Sequence, residues 1–370
     1  MSFPKSIALP DLDTGRPASD FSTLVRSAPP TYNPSKNGIS ERSLFLRERL
    51  AHSIDSLREV LNKPVDPVFA TAIFVLGLVF GSFLNVCIYR LPRGLSVVSP
   101  RSACPKCKQA IAAYDNLPVF SWLILRGRCR HCHTRISPRY LMIELLTGGL
   151  FLACYGYFGW SLLTPKYCVF AFLLLGLIFT DAETKLLPDA LTLPGLALGL
   201  IFSLIVPVND VASQFLPGMM NLPVSGALAE RLLSLLDSLL GAAVGAAFIY
   251  GAGAIYLRWR GNEGMGFGDV KLMAMVGAFL GIKLTVFTIF TASLVGSLFG
   301  IATVLVVWFK RTRRFTNRLS DAHAARRRAW QSAQVVYRNY QMPFGVFLGS
   351  MALFAFFFGD RFLRWYGKFL

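Results

Sequence analysis

Charge is scarce in this sequence. Only 16% of the 370 residues are charged, whereas 54% are hydrophobic and the mean hydropathy is +0.50. In soluble domains about a quarter of all residues are charged. The composition therefore excludes a water-soluble enzyme, a secreted disulfide scaffold and a single-span receptor. A continuous apolar stretch is also missing from residues 1–66, so no signal peptide is predicted. What remains is a membrane protein with several spans.

Long apolar runs carry this composition. A bilayer is crossed by roughly 20 apolar residues in a helix. The runs lie at 68–88, 141–160, 165–180, 190–207, 232–257, 271–308 and 343–358. The run 271–308 is too long for one span, and Gly281 and the two residues after it offer a break. We therefore predict an all-α polytopic membrane protein of about eight transmembrane helices.

The net charge of +18 is concentrated between predicted spans. Ten Lys and Arg lie in 90–139 and nine in 310–338, each with one acidic residue. Cytoplasmic loops of membrane proteins are enriched in Lys and Arg. We therefore interpret the two basic regions as cytoplasmic loops and not as a nucleic-acid-binding surface. Eight alternating spans place both basic regions on the same, cytoplasmic side. We expect no nucleic-acid partner; the partner implied by the spans is the lipid bilayer.

The predicted organisation has six parts. They are a polar N-terminal extension that is expected to be disordered (1–66), a first transmembrane helix (67–90), a cytoplasmic zinc-binding loop (91–140), a transmembrane core (141–308), a basic cytoplasmic loop (309–342) and a last transmembrane helix with its tail (343–370).

Four of the seven cysteines form two C-x2-C pairs, Cys104 with Cys107 and Cys129 with Cys132. Two such pairs on one loop are typical of a structural four-thiolate zinc site, because each pair brings two sulfurs to one metal ion. Disulfides are the alternative, which a reducing compartment disfavours. His131 and His133 flank the last cysteine and could replace a ligand. Four protein ligands leave no open position, so the predicted role is to stiffen the loop.

Carboxylates at the ends of apolar runs are the candidates for chemistry. Asp181 closes one run, Asp189 opens the next, and Asp269 precedes the run that starts at Val270. Ionisable groups at membrane depth are costly and thus functional candidates. Two carboxylates that approach one another share a proton and can activate water while protonating a carbonyl, as in aspartic proteases.

Local sequence leaves alternatives open for these residues. Asp269 could equally be a helix N-cap, and Asp189 after Pro188 is interpreted as an ordinary helix start. Gly264, Gly266 and Gly268 would allow unusual backbone dihedrals and close approach of a substrate to Asp269. Glu183 and Lys185 are expected on a connecting loop.

Several motifs together resemble the type IV prepilin peptidases, which are membrane aspartic proteases of bacteria. They run in the family's order over 75–285, with a weaker match at Pro343-Phe-Gly345. The matching stretches are Gly81-Ser-Phe-Leu-Asn85 through Arg90-Leu-Pro, the two cysteine pairs, Asp115-Asn-Leu-Pro-Val, Arg126-Gly127-Arg-Cys129, Ser137-Pro-Arg through Glu144-Leu-Leu, Asp181 with Leu187-Pro-Asp189, and Glu263-Gly-Met-Gly-Phe-Gly-Asp269-Val-Lys-Leu.

The resemblance implies roles for single residues. Asp181 and Asp269 match the family's catalytic aspartates, which favours catalysis over capping, and Gly266 and Gly268 belong to the active-site motif. It also implies methylation of the new N-terminal amine by S-adenosylmethionine, with Gly127 at a position associated with that activity. Motif positions whose role stays unassigned are Gly81, Asn85, Arg90 and Glu144.

The implied substrates are prepilins of type IV pili or pseudopilins of type II secretion, cut after a short basic leader. The implied location is the bacterial inner membrane, with the active site facing the cytoplasm. The alternative is a non-enzymatic transporter or assembly scaffold that uses the zinc loop for docking. A transporter would place its carboxylates near the membrane midplane, and these lie at span ends.

Overall fold

The computed structural model describes residues 66–104, 106–207, 210–211, 213–214, 226–261, 266–316, 322–339 and 342–367. The predicted N-terminal extension lies outside this set, apart from Asp66. Within it, the chain is almost entirely helical, with two isolated β-bridges in the first loop. The predicted all-α fold class is confirmed.

Ten helices follow one another in the described part of the chain. They are α1 (Pro67–Arg90), α2 (Phe120–Ile124), α3 (Arg139–Phe158), α4 (Leu163–Thr184), α5 (Asp189–Ile205), α6 (Ala227–Arg260), α7 (Phe267–Thr316), α8 (Ala322–Asn339), α9 (Phe344–Phe354) and α10 (Asp360–Tyr366). A π-helical turn, Ala355–Gly359, joins the last two helices into one 23-residue apolar segment.

Six described helical segments are long and apolar enough to cross a membrane, and α5 is a shorter apolar helix. The chain is thus a multi-span membrane protein, whereas the predicted count of eight spans is not confirmed. The core packs Phe170 and Leu174 of α4 against Leu272, Val276 and other buried residues of α7. Lipid covers the remaining apolar faces in such a bundle.

Helix α7 reverses direction at Gly281, as the sequence predicted. Gly281 has φ +76°, a left-handed conformation that glycine adopts without strain. A Cβ added at Gly245 of α6 would contact both Met273 and Thr285, which lie on either side of the break. In a continuous helix these two residues would be about 18 Å apart. The two arms of α7 therefore lie side by side.

Glycines let α6 approach the first arm of α7 closely. Cβ atoms added at Gly241 or Gly277 would collide with the backbone of the facing helix. Only residues without a side chain permit this distance between two helices.

Two buried aspartates hold the reversal of α7. Oδ2 of Asp210 accepts the N–H of Lys283 at 3.0 Å, just after Gly281. Asp237 of α6 accepts the N–H of Asp210 at 3.1 Å. The turn is thus fixed to α6, and the first arm of α7 is held at the angle that positions Asp269.

Candidate active site and metal centre

Asp181 lies in the last turn of α4, where it is 5% exposed. The helix ends because Lys185 adopts a left-handed conformation, with its N–H bonded to the carbonyl of Asp181. Glu183 therefore belongs to the helix, which corrects the prediction of a loop there, and it forms an ion pair with Arg139 at the start of α3. The end of α4 is fixed from two sides.

The N-terminus of α9 contacts the Asp181 carboxylate. The backbone N–H of Val346 donates to Oδ2 at 2.9 Å. A Cβ added at Gly345 would lie 2.9 Å from the same oxygen. A helix N-terminus offers unpaired N–H donors, so it is a natural binding site for a carboxylate.

Asp269 is the third residue of α7 and 8% exposed. Because the helix begins at Phe267, Asp269 cannot be the N-cap residue, which precedes the first helical residue. The capping alternative is wrong. Gly266 and Gly268 have no positive φ, so the expectation of unusual dihedrals is wrong for both; Gly264 lies outside the described residues.

Leu187 brings the two aspartates together. Its side chain lies 2.9 Å from a Cβ added at Gly268, next to Asp269, and 3.2 Å from one added at Gly345, next to Asp181. The two carboxylates are close enough to interact electrostatically. Gly268 thus makes room for Leu187. The sequence places both aspartates at helix ends, and the structure adds that these ends meet.

Asp189 has a different setting. It is the first residue of α5, its side chain is 58% exposed, and it pairs with Lys271 at 2.6 Å. This ion pair joins the start of α5 to the start of α7, two residues beyond Asp269. The interpretation of Asp189 as a structural residue is consistent with this placement.

Four motif residues without an assigned role connect α1, α3 and the loop between them. Gly81 leaves space for the backbone of Glu144, and Asn85 donates to the carbonyl of Tyr140 at 3.1 Å. Arg90 donates to the carbonyls of Ser96 and Pro100, at 2.8 and 2.7 Å. The Gly81 contact lets α1 and α3 approach closely, and those of Asn85 and Arg90 fix the points where the loop leaves these helices.

Glu144 of α3 accepts the backbone N–H of Val119 at 2.7 Å. Val119 has φ +62°, a strained conformation for a β-branched residue. Strained residues persist where surrounding contacts hold them. Glu144 therefore acts as a clamp between the membrane helix and the loop.

The four cysteines predicted as ligands converge. Their Sγ atoms all lie within 4.8 Å of one another, and Sγ of Cys104 is 3.7 Å from Sγ of Cys132. They could hold a metal ion. In each pair the residue after the second cysteine, Lys108 or His133, has positive φ and donates its N–H to the first cysteine's carbonyl. The pairs are thus two copies of one turn.

Backbone groups and one ion pair shape this centre. N–H donors of Cys107 and Lys106 lower the pKa of the Cys104 thiol to about 6, which favours the metal-binding thiolate. The Arg130 guanidinium holds the pKa of Asp115 below its usual range and pairs with it at 2.6 Å. This ion pair connects the second cysteine pair to the Asp115 motif.

Gly127 lies between Trp122 and the second cysteine pair. Its φ is +63°, and a Cβ there would lie 2.8 Å from the Trp122 ring. The carbonyl of Gly127 accepts the N–H of Ile136, which closes the ribbon around Cys129 and Cys132. Gly127 therefore sets the path of the chain into the metal centre.

With these features in place, comparison with known proteins becomes informative. Residues 75–158 match the bacterial peptidase A24 N-terminal domain, and residues 168–301 match the type IV leader peptidase family. The chain belongs to the type IV leader peptidase family. Its first matched domain contains most of α1, the cysteine loop and α3, and the second contains both aspartates.

Relatives named prepilin leader peptidase/N-methyltransferase support this assignment. The protein of Neisseria gonorrhoeae is 39% identical over 246 residues, which is 60% of this chain and 78% of the relative. That of Aeromonas hydrophila is 32% identical over 325 residues, 81% of this chain and 94% of the relative. That of Myxococcus xanthus is 40% identical over 241 residues, 65% of this chain but 64% of the relative. No solved structure matches the chain.

Family membership confirms the predicted resemblance and the predicted peptidase class. The sequence named Leu187 and Pro343-Phe-Gly345 within motifs but did not predict their contacts with the aspartates, which Leu187 and the N–H of Val346 supply. Pro343 before an apolar run was the available signal for a helix start there. The roles of Asp181, Asp269 and Gly127 in the reaction stay predictions.

Proposed function

We propose that this protein is a membrane aspartic endopeptidase that removes the leader from type IV prepilins or type II secretion pseudopilins. It then methylates the exposed N-terminal amine. The observation that carries the proposal is the meeting of Asp181 and Asp269 at one end of α4 and α7, in a chain of the leader peptidase family. Names of the relatives support both activities.

Two adjacent carboxylates share one proton at neutral pH. In the proposed reaction the charged carboxylate takes a proton from water, whose oxygen attacks the scissile carbonyl. The protonated carboxylic acid gives its proton to the carbonyl oxygen. Collapse of the tetrahedral intermediate breaks the C–N bond: the first carboxyl group gives the water proton to the leaving amine, and the second takes back the proton from the carbonyl oxygen. The N–H groups at the start of α9 orient Asp181 for this exchange.

Charge supports a cytoplasmic orientation in the bacterial inner membrane. The end of α4 that carries Asp181 contacts Arg139, at the edge of the first basic loop, through Glu183, and such loops stay in the cytoplasm. A prepilin leader is basic and would remain on this side, attracted to anionic headgroups and carboxylates. Its apolar helix would lie in the membrane, so that the bond to be cut meets the aspartates.

The proposed metal is a structural Zn²⁺. Tetrahedral coordination with Zn–S bonds of about 2.3 Å requires sulfurs about 3.8 Å apart. The Cys104–Cys132 separation of 3.7 Å and the 4.8 Å limit on the whole set fit this geometry. Cys107 and Cys129 would complete the ligand set. Zinc would fix the loop and supply no catalytic step.

A cleft of about 380 Å³ between α1 and the loop is the candidate site for S-adenosylmethionine. Its lining combines the polar side chains of Ser82, Ser102 and Asn116 with one aromatic ring, Phe83, and aliphatic groups. Its volume falls within the range of small-molecule sites. When bound, the donor supplies an electrophilic methyl group. Glu144 interacts with Ser82 at this cleft while it holds Val119, so loop position and cleft shape are coupled.

A reconstituted assay tests the proposal. Purified protein is incubated with a synthetic prepilin in detergent, with or without S-adenosylmethionine, and the products are weighed by mass spectrometry. We expect leader removal in both samples and one added methyl group only with the donor. Intact prepilin in both samples would contradict the peptidase proposal, and would favour the transporter or scaffold alternative.

A further inference from the structure

The cleft between α8 and the end of α7 has no role in the proposed reaction. It measures about 310 Å³ and is lined by Trp308, Arg326, Arg327, Trp330 and Gln331. The two indole rings meet edge to face with centroids 6.3 Å apart. Two guanidinium groups beside two indoles form a cationic site with an aromatic wall.

The location of the cleft along α7 is set by chain length. Residues 284–309 carry no charge, and 26 residues of helix extend about 39 Å. The hydrocarbon core is about 30 Å thick and the bilayer with its headgroups about 40–45 Å. Trp308, at the end of this stretch, therefore lies at the level of the lipid headgroups, where Trp is enriched.

Charge around the cleft is of one sign. Seven basic residues lie at 310–314 and 326–328, on the two helices that form it, and the described parts of α7 (from 284 onward) and α8 contain no acidic residue; Asp321 between them lies outside the described residues. The basic residues are Lys310, Arg311, Arg313, Arg314, Arg326, Arg327 and Arg328.

Helix α8 is held against α7 and exposes its basic side. Ala329 is fully buried, and Arg311 of α7 donates a hydrogen bond to Ser332 of α8. Arg326 and Arg327 are exposed, and the Trp330 side chain is 45% exposed. A basic amphipathic helix with Trp at its margin is typical of an element that lies in the membrane interface.

We propose that this cleft binds the phosphate headgroup of an anionic phospholipid. Arg326 and Arg327 would bind the phosphate oxygens, to which guanidinium forks are suited, and Trp308 and Trp330 would contact the glycerol and upper acyl chain. A basic leader peptide is a poor occupant, because seven cations repel it. Headgroup binding would hold α8 on the membrane surface at the end of α7.

The test compares two pairs of arginines with equal charge. Purified full-length protein in a zwitterionic detergent is titrated with phosphatidylglycerol or phosphatidylcholine, and bound lipids are counted by native mass spectrometry. We expect phosphatidylglycerol to bind at least about tenfold more tightly than phosphatidylcholine. The double substitution Arg326→Gln/Arg327→Gln should abolish this preference, whereas Arg313→Gln/Arg314→Gln, outside the cleft, should keep most of it.

Two further measurements complete the test. Trp330→Leu keeps the charge of the cleft but removes one indole ring, and should weaken phosphatidylglycerol binding severalfold. Leader cleavage is measured for every variant as a check that the protein is folded. Equal losses in both arginine pairs would indicate diffuse attraction and overturn the proposal. Displacement of the lipid by an equimolar amount of inorganic phosphate would show a free-anion site and would overturn the assignment to a lipid.

Discussion

The backbone N–H of Val346 donates a hydrogen bond to the carboxylate of Asp181 across 165 positions of sequence. The first turn of the last membrane segment thereby becomes part of the aspartate site. Because α9 also packs along α4, its position determines how Asp181 is presented to a substrate.

Gly345→Ala tests this contact. The added methyl group would lie 2.9 Å from Oδ2 of Asp181 and must displace the carboxylate. We expect kcat/KM for leader cleavage to fall by about a hundredfold, because small misplacements of a catalytic group have such effects. Gly349→Ala is the matched control, since it crowds Ile178 on the same pair of helices away from Asp181. Equal losses in both variants would mean that helix spacing, and not the carboxylate, is affected.

Gly127→Ala should impair methylation more than cleavage. The substitution is unfavourable for two reasons: alanine is strained in the left-handed conformation of residue 127, and its Cβ would collide with the Trp122 ring. Gly94→Ala isolates the first part, because Gly94 has φ +65° with open space around it. We expect N-terminal methylation, measured by mass spectrometry of the mature pilin, to fall at least about tenfold only in Gly127→Ala. A similar loss in Gly94→Ala would attribute the effect to backbone strain alone.

Two substitutions of Glu144 distinguish its possible roles, as a clamp on the Val119 N–H or as a negative charge that binds a cationic group of the ligand. Glu144→Gln keeps an oxygen that can accept the Val119 N–H, whereas Glu144→Ala removes it. The dissociation constant of S-adenosylhomocysteine is measured by calorimetry. If Glu144 acts as a clamp, we expect a value within about threefold of wild type for Glu144→Gln, and binding at least about tenfold weaker for Glu144→Ala. Loss of binding in Glu144→Gln would instead indicate a negative charge that meets the amino group of the bound ligand.

Zinc content tests the metal centre. We expect about one zinc ion per purified chain by plasma mass spectrometry, and near-complete loss in Cys129→Ser. Cys87→Ser is the control, because Cys87 is buried in α1 and away from the cysteine cluster. Full zinc content in Cys129→Ser would contradict the four-thiolate site.

Local signals made part of the structure predictable. The cysteine spacing specifies its own turn, Gly281 permits a reversal, and Asp181 and Asp269 border apolar runs. Long-range contacts gave no such signal. The helices are apolar on most faces, so periodicity does not indicate which side meets a neighbour. The contacts of Leu187 with Gly268 and Gly345, and of Glu144 with Val119, join distant segments and emerged only from the fold.

The start of α7 illustrates the same limit. An aspartate before an apolar run is compatible with a cap or a catalytic group, and local sequence could not separate them. The structure removed the cap alternative because the helix begins two residues earlier, at Phe267.

Leader cleavage by Asp181→Asn and Asp269→Asn tests the paired-aspartate mechanism most directly. Both substitutions keep side-chain size but remove a titratable oxygen. Purified variants with normal membrane levels should each lose about a thousandfold in kcat, the range expected for a lost acid or base. Asp189→Asn, which loses only an exposed ion pair with Lys271, should stay within about threefold of wild type. Leader removal at the wild-type rate in either Asp181→Asn or Asp269→Asn would contradict the account.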